Sequence, residues 1–398
     1  MERFLRSVAF DDRFGRQMRF IAGPRQVGKT TLLKGFLGER GLYYNWDLRG
    51  VRDRYKADPY FFHSDDVSLG AASGRRAVGF DEIHKFPKWK NILKDYFDAY
   101  EDRCLFVVTG SARLDLFRRS GDPLSGRYFL FRLLPVSLFE LAGGPLATPG
   151  AAAWDFIEAA LHPPRQEEFD ALLRFGGFPE PLLKGDEVFS ANWHDQYVDT
   201  LVREELRDLT RIHELENVAT MMRLIPGRVG APFSLKSAGE DLAVSYSAAK
   251  NYLRALALTY VVFSLKPYHQ SLARAVRKEP KLYLFDWTRV EDPALRFENY
   301  VACELYHRAE LWTLTTARRF EVFYVRTRDG KETDFLLARD GRPYLLVEAK
   351  ASSQAVEPHH LLFGRKFGGI PVLQLTLKPG VARAEKGRFW VVSASRFF

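Results

Sequence analysis

Eight residues constrain this chain more than any others: Gly23-Pro24-Arg25-Gln26-Val27-Gly28-Lys29-Thr30, set between an apolar run and an amphipathic one. The preceding residues 18–22 read as a short strand. Residues 30–37 read as a helix with Leu32, Leu33, Phe36 and Leu37 on one side. A glycine, four residues, then Gly-Lys-Thr between strand and helix is the P-loop pattern. With no side chains at Gly23 and Gly28, the loop can turn its backbone N–H groups inward, where the positive end of the helix dipole adds to them. Such a nest takes phosphates. Lys29 is placed to reach the β- and γ-phosphates, and the Thr30 hydroxyl to take one position on Mg²⁺. The alternative is a glycine-rich turn that happens to carry a lysine.

Downstream, residues 41–46 read as a second strand, and residues 77–82 form an apolar run that stops in Asp81-Glu82. A carboxylate at a strand end can hold Mg²⁺, and the next one can orient and deprotonate a water attacking the γ-phosphate. Asp81 and Glu82 are assigned those roles. A strand that ends in a solvated acidic pair is the competing reading, and Gly79 interrupts the branched apolar character of the run. Residues 104–109 form a buried-looking strand turning at Gly110-Ser111. If this strand lies between the other two in a parallel sheet, Thr109 or Ser111 ends beside Glu82 as a γ-phosphate sensor. A hydroxyl satisfying a turn is the alternative for each. Of the arginines that follow, Arg127, just before the strand at 128–131, is the candidate arginine finger, in cis or from a neighbouring subunit.

These segments, with Asp81-Glu82-Ile83-His84-Lys85-Phe86-Pro87-Lys88-Trp89, Thr109-Gly110-Ser111, Gly126-Arg127 and Leu134-Pro135-Val136-Ser137, resemble the bacterial and archaeal AAA-type ATPases that carry a C-terminal domain of unknown function. The resemblance runs nearly end to end. It implies an ATPase core that uses ATP and Mg²⁺. Lys29, Glu82 and Ser111 take catalytic roles, Thr30 and Asp81 hold metal, and Gly23, Arg25, Gln26, Val27, Gly28, Lys29, Thr30 and Thr31 contact nucleotide. His84 stands where such proteins often carry Gln, and no role is assigned to it. Residues 142–165, with their Gly and Pro clusters, read as a break in regular structure. The helical spacing over 167–175 and 193–215 is consistent with the lid that covers nucleotide in AAA-type proteins.

From residue 233 the pattern is helix, turn, helix, strand: Leu235, Ala238 and Leu242 give one apolar face, and Ala249, Leu253 and Leu256 another, with Ser245 as N-cap. This resembles a winged helix, in which Lys250 and Arg254 would meet DNA. An ordinary solvated face used for protein contacts fits the same two basic residues.

The last hundred residues hold a second constellation. Glu298 lies on a predicted helix, and strands over 321–325, 334–338 and 343–349 are separated by Asp329-Gly330 and Asp340-Gly341. Asp334 and Glu348-Ala349-Lys350 resemble the PD-(D/E)xK restriction-endonuclease-like fold, with two carboxylates on Mg²⁺ and a lysine beside the attacking water. Thr333 replaces the proline of that motif. Side chains alternate across a strand, so Asp334 meets Glu348 only if the hairpin loop has an odd count. A three-residue Arg339-Asp340-Gly341 loop is expected, placing Glu332 opposite Glu348, with Lys350 on that face and Phe335, Leu337, Leu345 and Val347 on the other. Glu298, Asp334 and Glu348 are the metal candidates and Lys350 the catalytic lysine. A domain that no longer cuts is the alternative.

The expected architecture is therefore α/β: a P-loop AAA-type ATPase core (1–145), a helical lid and linker (146–230), a winged helix (231–288) and a nuclease-like domain (289–398). At 398 residues, 46% hydrophobic and 27% charged, the chain has the length and composition of several folded domains. Its net charge of +9 suits polyanionic partners, ATP and DNA among them. Cys104 and Cys303 lack disulfide-framework or zinc spacing, which fits a reducing cytoplasm, and no apolar run is long enough to span a bilayer. A homo-oligomer is a candidate assembly. Function reads as ATP hydrolysis that controls a DNA-interacting, nuclease-like module, or as a nucleotide-gated regulatory protein that binds ATP with little turnover.

Overall fold

A computed structural model describes residues 1–68, 74–110, 123–201, 214–269, 279–327, 329–352 and 355–398. The chain divides into two compact units, residues 2–134 and residues 135–398 with Met1.

The first unit is built on five strands, β1 (Met18–Ala22), β2 (Leu42–Asn45), β3 (Arg76–Asp81), β4 (Cys104–Thr109) and β5 (Tyr128–Arg132), in the order β2-β3-β4-β1-β5. Every pairing is parallel. β4 therefore lies between the P-loop strand and the carboxylate strand, as expected, and the register aligns Ile21, Thr109 and Asp81 in one row. A sheet covered on both faces needs unbroken apolar strands, and β1 is buried at every position. Its one charged residue, Arg19, is satisfied by carbonyls: its guanidinium donates to Ala9 O at 2.7 Å and to Phe14 O and Gly15 O at 3.2 Å. That ties the lead-in helix α1 (Phe4–Ala9) to the sheet. The helix after the P-loop, α2 (Lys29–Leu37), buries Leu32, Leu33 and Leu37. At Gly79 the side chains of α2 lie directly against β3: a Cβ there would lie 2.8 Å from Leu37 Cδ1 and 2.9 Å from Leu33 Cδ1. The glycine within the carboxylate strand is thus a packing requirement. On the far side α3 (Trp89–Tyr100) buries Ile92, Leu93, Tyr96 and Phe97.

In the second unit, the stretch expected to lack regular structure contains α4 (Ala153–Ala160), because Ala153, Phe156, Ile157 and Ala160 recur at helical spacing and are buried. Next, α5 (Gln166–Phe175) packs its Phe169 ring 5.4 Å from Tyr300, and Leu172 O accepts from Trp287 Nε1 at 2.8 Å. The lid-like helix thus belongs to the C-terminal unit. After a short helical segment at Pro179–Lys184 comes α6 (Glu187–Thr200); the rest of the helix expected through residue 215 falls mostly outside the described residues. Then come α7 (Leu215–Leu224), α8 (Leu235–Asp241) and α9 (Tyr246–Leu258), the last capped by Ser245, whose Oγ accepts from Ala248 N at 3.1 Å. β6 (Val262–Leu265) and β7 (Lys281–Leu284) form an antiparallel pair behind them.

The C-terminal sheet has six strands in the spatial order Ala382–Glu385, Phe389–Ser393, Val372–Thr376, Arg342–Lys350, Glu332–Arg339 and Phe320–Arg326. A long buried helix, α10 (Pro293–Thr315), leads into the antiparallel meander β8 (Phe320–Arg326), β9 (Glu332–Arg339) and β10 (Arg342–Lys350). α11 (Pro358–Lys366) then carries the chain to β11 (Val372–Thr376), parallel to β10, with β12 (Ala382–Glu385) and β13 (Phe389–Ser393) beyond it.

The β9–β10 hairpin differs from the expected one. Arg339 pairs with Arg342, leaving a two-residue turn in which Asp340 and Gly341 have φ of 52° and 76°, a type I′ turn. Left uncorrected, that turn would put Asp334 and Glu348 on opposite faces. The register shifts by one between Pro343 and Leu345, where proline has no N–H for the ladder, and pairing resumes as Leu345 with Leu337 and Val347 with Phe335. One step further, Glu348 stands opposite Asp334. The bulge supplies the odd residue assigned to the loop, and Asp334, rather than Glu332, faces Glu348.

Because Gly79 leaves room for Leu33 and Leu37, Gly79→Val should destabilise the N-terminal unit by about 1–3 kcal/mol through overpacking. Chemical denaturation should read this as a lower midpoint; an unchanged midpoint would show that α2 can move away at no cost.

Candidate functional site

The P-loop backbone is shaped by close approach. Gly23 has φ of 148°, and a Cβ on it would lie 2.1 Å from Leu133 O, so no side chain fits. Gln26 and Gly28 also have positive φ, 59° and 99°, and Gly28 is the N-cap of α2. Lys29, buried, donates from Nζ to Gly23 O at 3.0 Å and to Pro24 O at 2.5 Å. Its ammonium thus rests inside the loop. A residue that sequence reading missed braces the loop from outside: Arg3 donates from Nη1 to Val27 O at 3.1 Å and from Nη2 to Leu134 O at 2.5 Å. Its partners lie 24 and 131 positions away, so no local pattern announces it.

Asp81, at the end of β3, is buried and takes donors from three elements. Thr30 Oγ1 and Tyr43 OH each donate to Oδ2 at 2.8 Å, and Thr109 Oγ1 donates to Oδ1. Burial and the Asp81 carboxylate push the Tyr43 hydroxyl well above its ordinary pKa, so it stays a donor. Glu82 follows in the left-handed region at φ 59°, with its N–H donating to Thr109 O at 3.1 Å. Its Oε2 lies 3.1 Å from Lys85 Nζ and 3.7 Å from His84 Nε2, and Lys85 also reaches Asp47 at 2.7 Å. Burial works against the Lys85 charge, but Glu82 and Asp47 outweigh it and hold the amine above its usual range. The strand ends therefore bring Lys29, Thr30, Asp81, Glu82 and Thr109 to one edge. A hydroxyl beside a carboxylate at the mouth of a phosphate nest is an oxygen donor set that fits Mg²⁺.

Ser111 lies outside the described residues. For Arg127 the in-cis form of the expected arginine-finger role does not fit the structure. Its carbonyl accepts from Met18 N at 2.9 Å, so it sits where β1 and β5 begin, one strand length, about 15 Å, from the P-loop edge. There it forms a two-pronged pair with Asp98 at 2.7 and 3.1 Å, which holds the Asp98 carboxyl below its usual range. It cannot reach its own loop's phosphates. Arg25, Gln26, Val27 and Thr31 lie on the loop and first turn as expected, and Lys250 and Arg254 lie exposed on α9.

In the C-terminal unit, Asp334 N donates to Glu348 Oε2 and Ala349 N donates to Asp334 Oδ2, both at 3.1 Å. Lys350 Nζ is 2.8 Å from Glu348 Oε1. Burial, with Glu298 and Glu348 nearby, drives the Asp334 carboxyl well up, and burial raises Glu348 as well. Glu298 reaches the same place, but between it and Asp334 stands Lys281, missed from sequence, with Nζ 3.3 Å from Glu298 Oε1 and 3.6 Å from Asp334 Oδ1. Among the described residues, the group of His, Cys, Asp or Glu side chains with ligand atoms all within 4.8 Å of one another is Glu357, His359 and His360, not Glu298, Asp334 and Glu348. The residues expected to bind a nuclease metal do not fit one as they stand.

Residues 15–142 match the family model described as AAA domain. The N-terminal unit carries an AAA-type P-loop core. Residues 166–288 and 296–394 match two families described as domains of unknown function, DUF8612 and DUF4143. The chain is 27% identical over 348 residues to uncharacterized proteins of Mycobacterium bovis and Mycobacterium tuberculosis, covering 84% of this chain and 71% of each relative. An uncharacterized protein of Methanocaldococcus jannaschii is 23% identical over 67% of this chain and 60% of its own length. Among solved structures, C. elegans PCH-2 aligns with a TM-score of 0.24 at 14% identity, over 64% of each chain. Cdc6p from Pyrobaculum aerophilum aligns at 0.27 and 12%, over 75% of this chain and 92% of its own. No helix among the described residues is long and apolar enough to cross a membrane.

His360, buried on α11, is held neutral: burial, with His359 and Lys350 nearby, pushes its pKa down to about 3. An unfolded imidazole takes a proton near 6.5, so between about 6.5 and 3 the unfolded state binds more protons and stability falls as pH drops. Denaturation at pH 7 and pH 5 should therefore show a smaller acid loss in His360→Gln than in the native chain. Equal losses would mean that the ring is accessible when protonated.

Proposed function

We propose that the chain binds and hydrolyses ATP through its P-loop unit, and that nucleotide state controls a C-terminal, DNA-interacting module of nuclease-like topology. The observation that carries the first part is the 2.8 Å contact of Thr30 Oγ1 with Asp81 Oδ2 beside Glu82, at the mouth of a loop braced by Gly23 and Arg3. Lys29 turns from the Gly23 and Pro24 carbonyls to β- and γ-phosphate oxygens when nucleotide enters. Thr30 and Asp81 would hold Mg²⁺, which would neutralise charge developing on the phosphates. Glu82, released from Lys85, accepts a proton from the attacking water, and Thr109 keeps Asp81 oriented.

What supports the second part is the sequence of helix, three antiparallel strands, helix and parallel strand in α10 to β11, together with exposed Lys250 and Arg254 on a helix that follows a short turn. The second reading, a module that does not cut, is favoured by one observation, the ammonium among the expected metal ligands.

ATP turnover by the native chain, Lys29→Ala and Glu82→Gln tests the enzyme reading. Glu82→Gln should lower turnover by about 10²- to 10⁴-fold while ATP still binds, and Lys29→Ala should lose binding. Equal turnover in all three would reject the assignment. For DNA, Lys250→Ala with Arg254→Ala should weaken binding and reduce the slope of log affinity against log salt by about 1 to 2. An unchanged salt slope would direct that face to protein contacts.

A further inference from the structure

Four carboxylates meet on one side of the C-terminal sheet: Glu298 from α10, Glu332 and Asp334 from β9, and Glu348 from β10. Lys281 enters this group from β7, outside the sheet. Its Nζ lies 2.5 Å from Glu332 Oε1, 3.3 Å from Glu298 Oε1 and 3.6 Å from Asp334 Oδ1, and its side chain is 1% exposed. An ammonium offers three donors and one charge, so three carboxylates from two elements are a matching set. Tyr283, two residues along the same strand, donates to the same Glu298 oxygen at 2.7 Å. The Lys281 backbone is fixed by pairing with Leu265 and by a bridge to Pro232. The strand thus holds the base of the Lys281 side chain beside the carboxylates, and its burial keeps the amine among them. The neighbouring acids have cations of their own: Arg326 on Glu332 Oε2 at 3.2 Å and Lys350 on Glu348 Oε1 at 2.8 Å.

We infer that Lys281 is a built-in cation that stands where a divalent metal would otherwise be held, so that the native chain takes no metal there and removal of this amine opens a metal site. A surface lysine loosely neutralising acids would yield to a divalent ion. Lys281 is distinguished from that case by its burial, its three carboxylates and its fixed backbone. A divalent ion among the same oxygens would sit against a buried positive charge already neutralised by them. The chemistry that follows is a fold with nuclease topology held together electrostatically by its own side chain, without metal-dependent cleavage. The inference deepens the non-cleaving reading of this domain and does not depend on ATP turnover.

Mn²⁺ titration of the full chain without nucleotide, followed by calorimetry and by electron paramagnetic resonance, tests it in the native chain, Asp334→Asn, Lys281→Met and Lys281→Met/Asp334→Asn. The native chain should show no site that Asp334→Asn removes. Lys281→Met should gain one, about tenfold or more tighter than anything in the native chain, and the double variant should lose it. A native Mn²⁺ site that disappears in Asp334→Asn would overturn the inference, and so would the absence of any gain in Lys281→Met. If Lys281→Met folds poorly, Mn²⁺ should restore its folding, and Asp334→Asn in the same chain should restore it without metal. Failure of both rescues would also overturn it. Turnover of ATP by the native chain, measured separately, keeps failure of the ATPase reading distinct from failure of this one.

Discussion

The carboxylate of Asp81 is the point on which the N-terminal unit converges. Buried at a strand end, it must be given donors, and an unpaired charge there would cost several kcal/mol. Three hydroxyls meet the need, from the first turn of α2, from β2 and from β4. This works only with the observed strand order, in which β2 and β4 flank β3 and β1 stands next to β4. The parallel arrangement then aligns the ends of these strands, so the P-loop, the acidic pair and Thr109 arrive together without any long-range device beyond the sheet itself. Gly79 completes the arrangement by letting α2 sit close enough for Thr30 to reach Asp81.

What was legible in the sequence was what depends on neighbours along the chain. The P-loop lies within eight residues, and its conformation follows from glycine and from the strand and helix at its ends. Asp81 and Glu82 are legible because an apolar run stops at them. Arg3 and Tyr43 are not, since each acts on a group far away in sequence and carries no local signature. Arg127 shows the converse. A strand does follow it, but in a parallel sheet the residue before a strand lies at the edge opposite the P-loop, so the same strand that makes it conspicuous carries it away from its own loop.

The hairpin between β9 and β10 shows how a correct chemical pairing can rest on incorrect backbone detail. Two carboxylates that must share a face impose a parity on the residues between them. Asp340-Gly341 is chemically suited to a two-residue type I′ turn, which has the wrong parity, and the conflict is resolved three residues later by a bulge at Pro343. Sequence parity fixed the outcome but could not say whether turn or strand would absorb the odd residue. Proline without an N–H was the available signal, because it marks where the ladder is already interrupted.

Lys29 and Lys281 are both buried amines parked on oxygen acceptors, and the kind of acceptor separates their chemistry. Among its described contacts, Lys29 donates to the neutral carbonyls of Gly23 and Pro24. A phosphate entering the loop offers a charged acceptor in exchange, so the displacement is favourable and the ammonium becomes part of the ligand's shell. Lys281 rests on three carboxylates. An entering cation would compete for those oxygens against a tethered charge of the same sign, so the displacement is opposed. The first lysine is therefore a ready receptor for an anion and the second a fixed substitute for a cation. In each case the charge on the acceptors, rather than the lysine itself, sets the role.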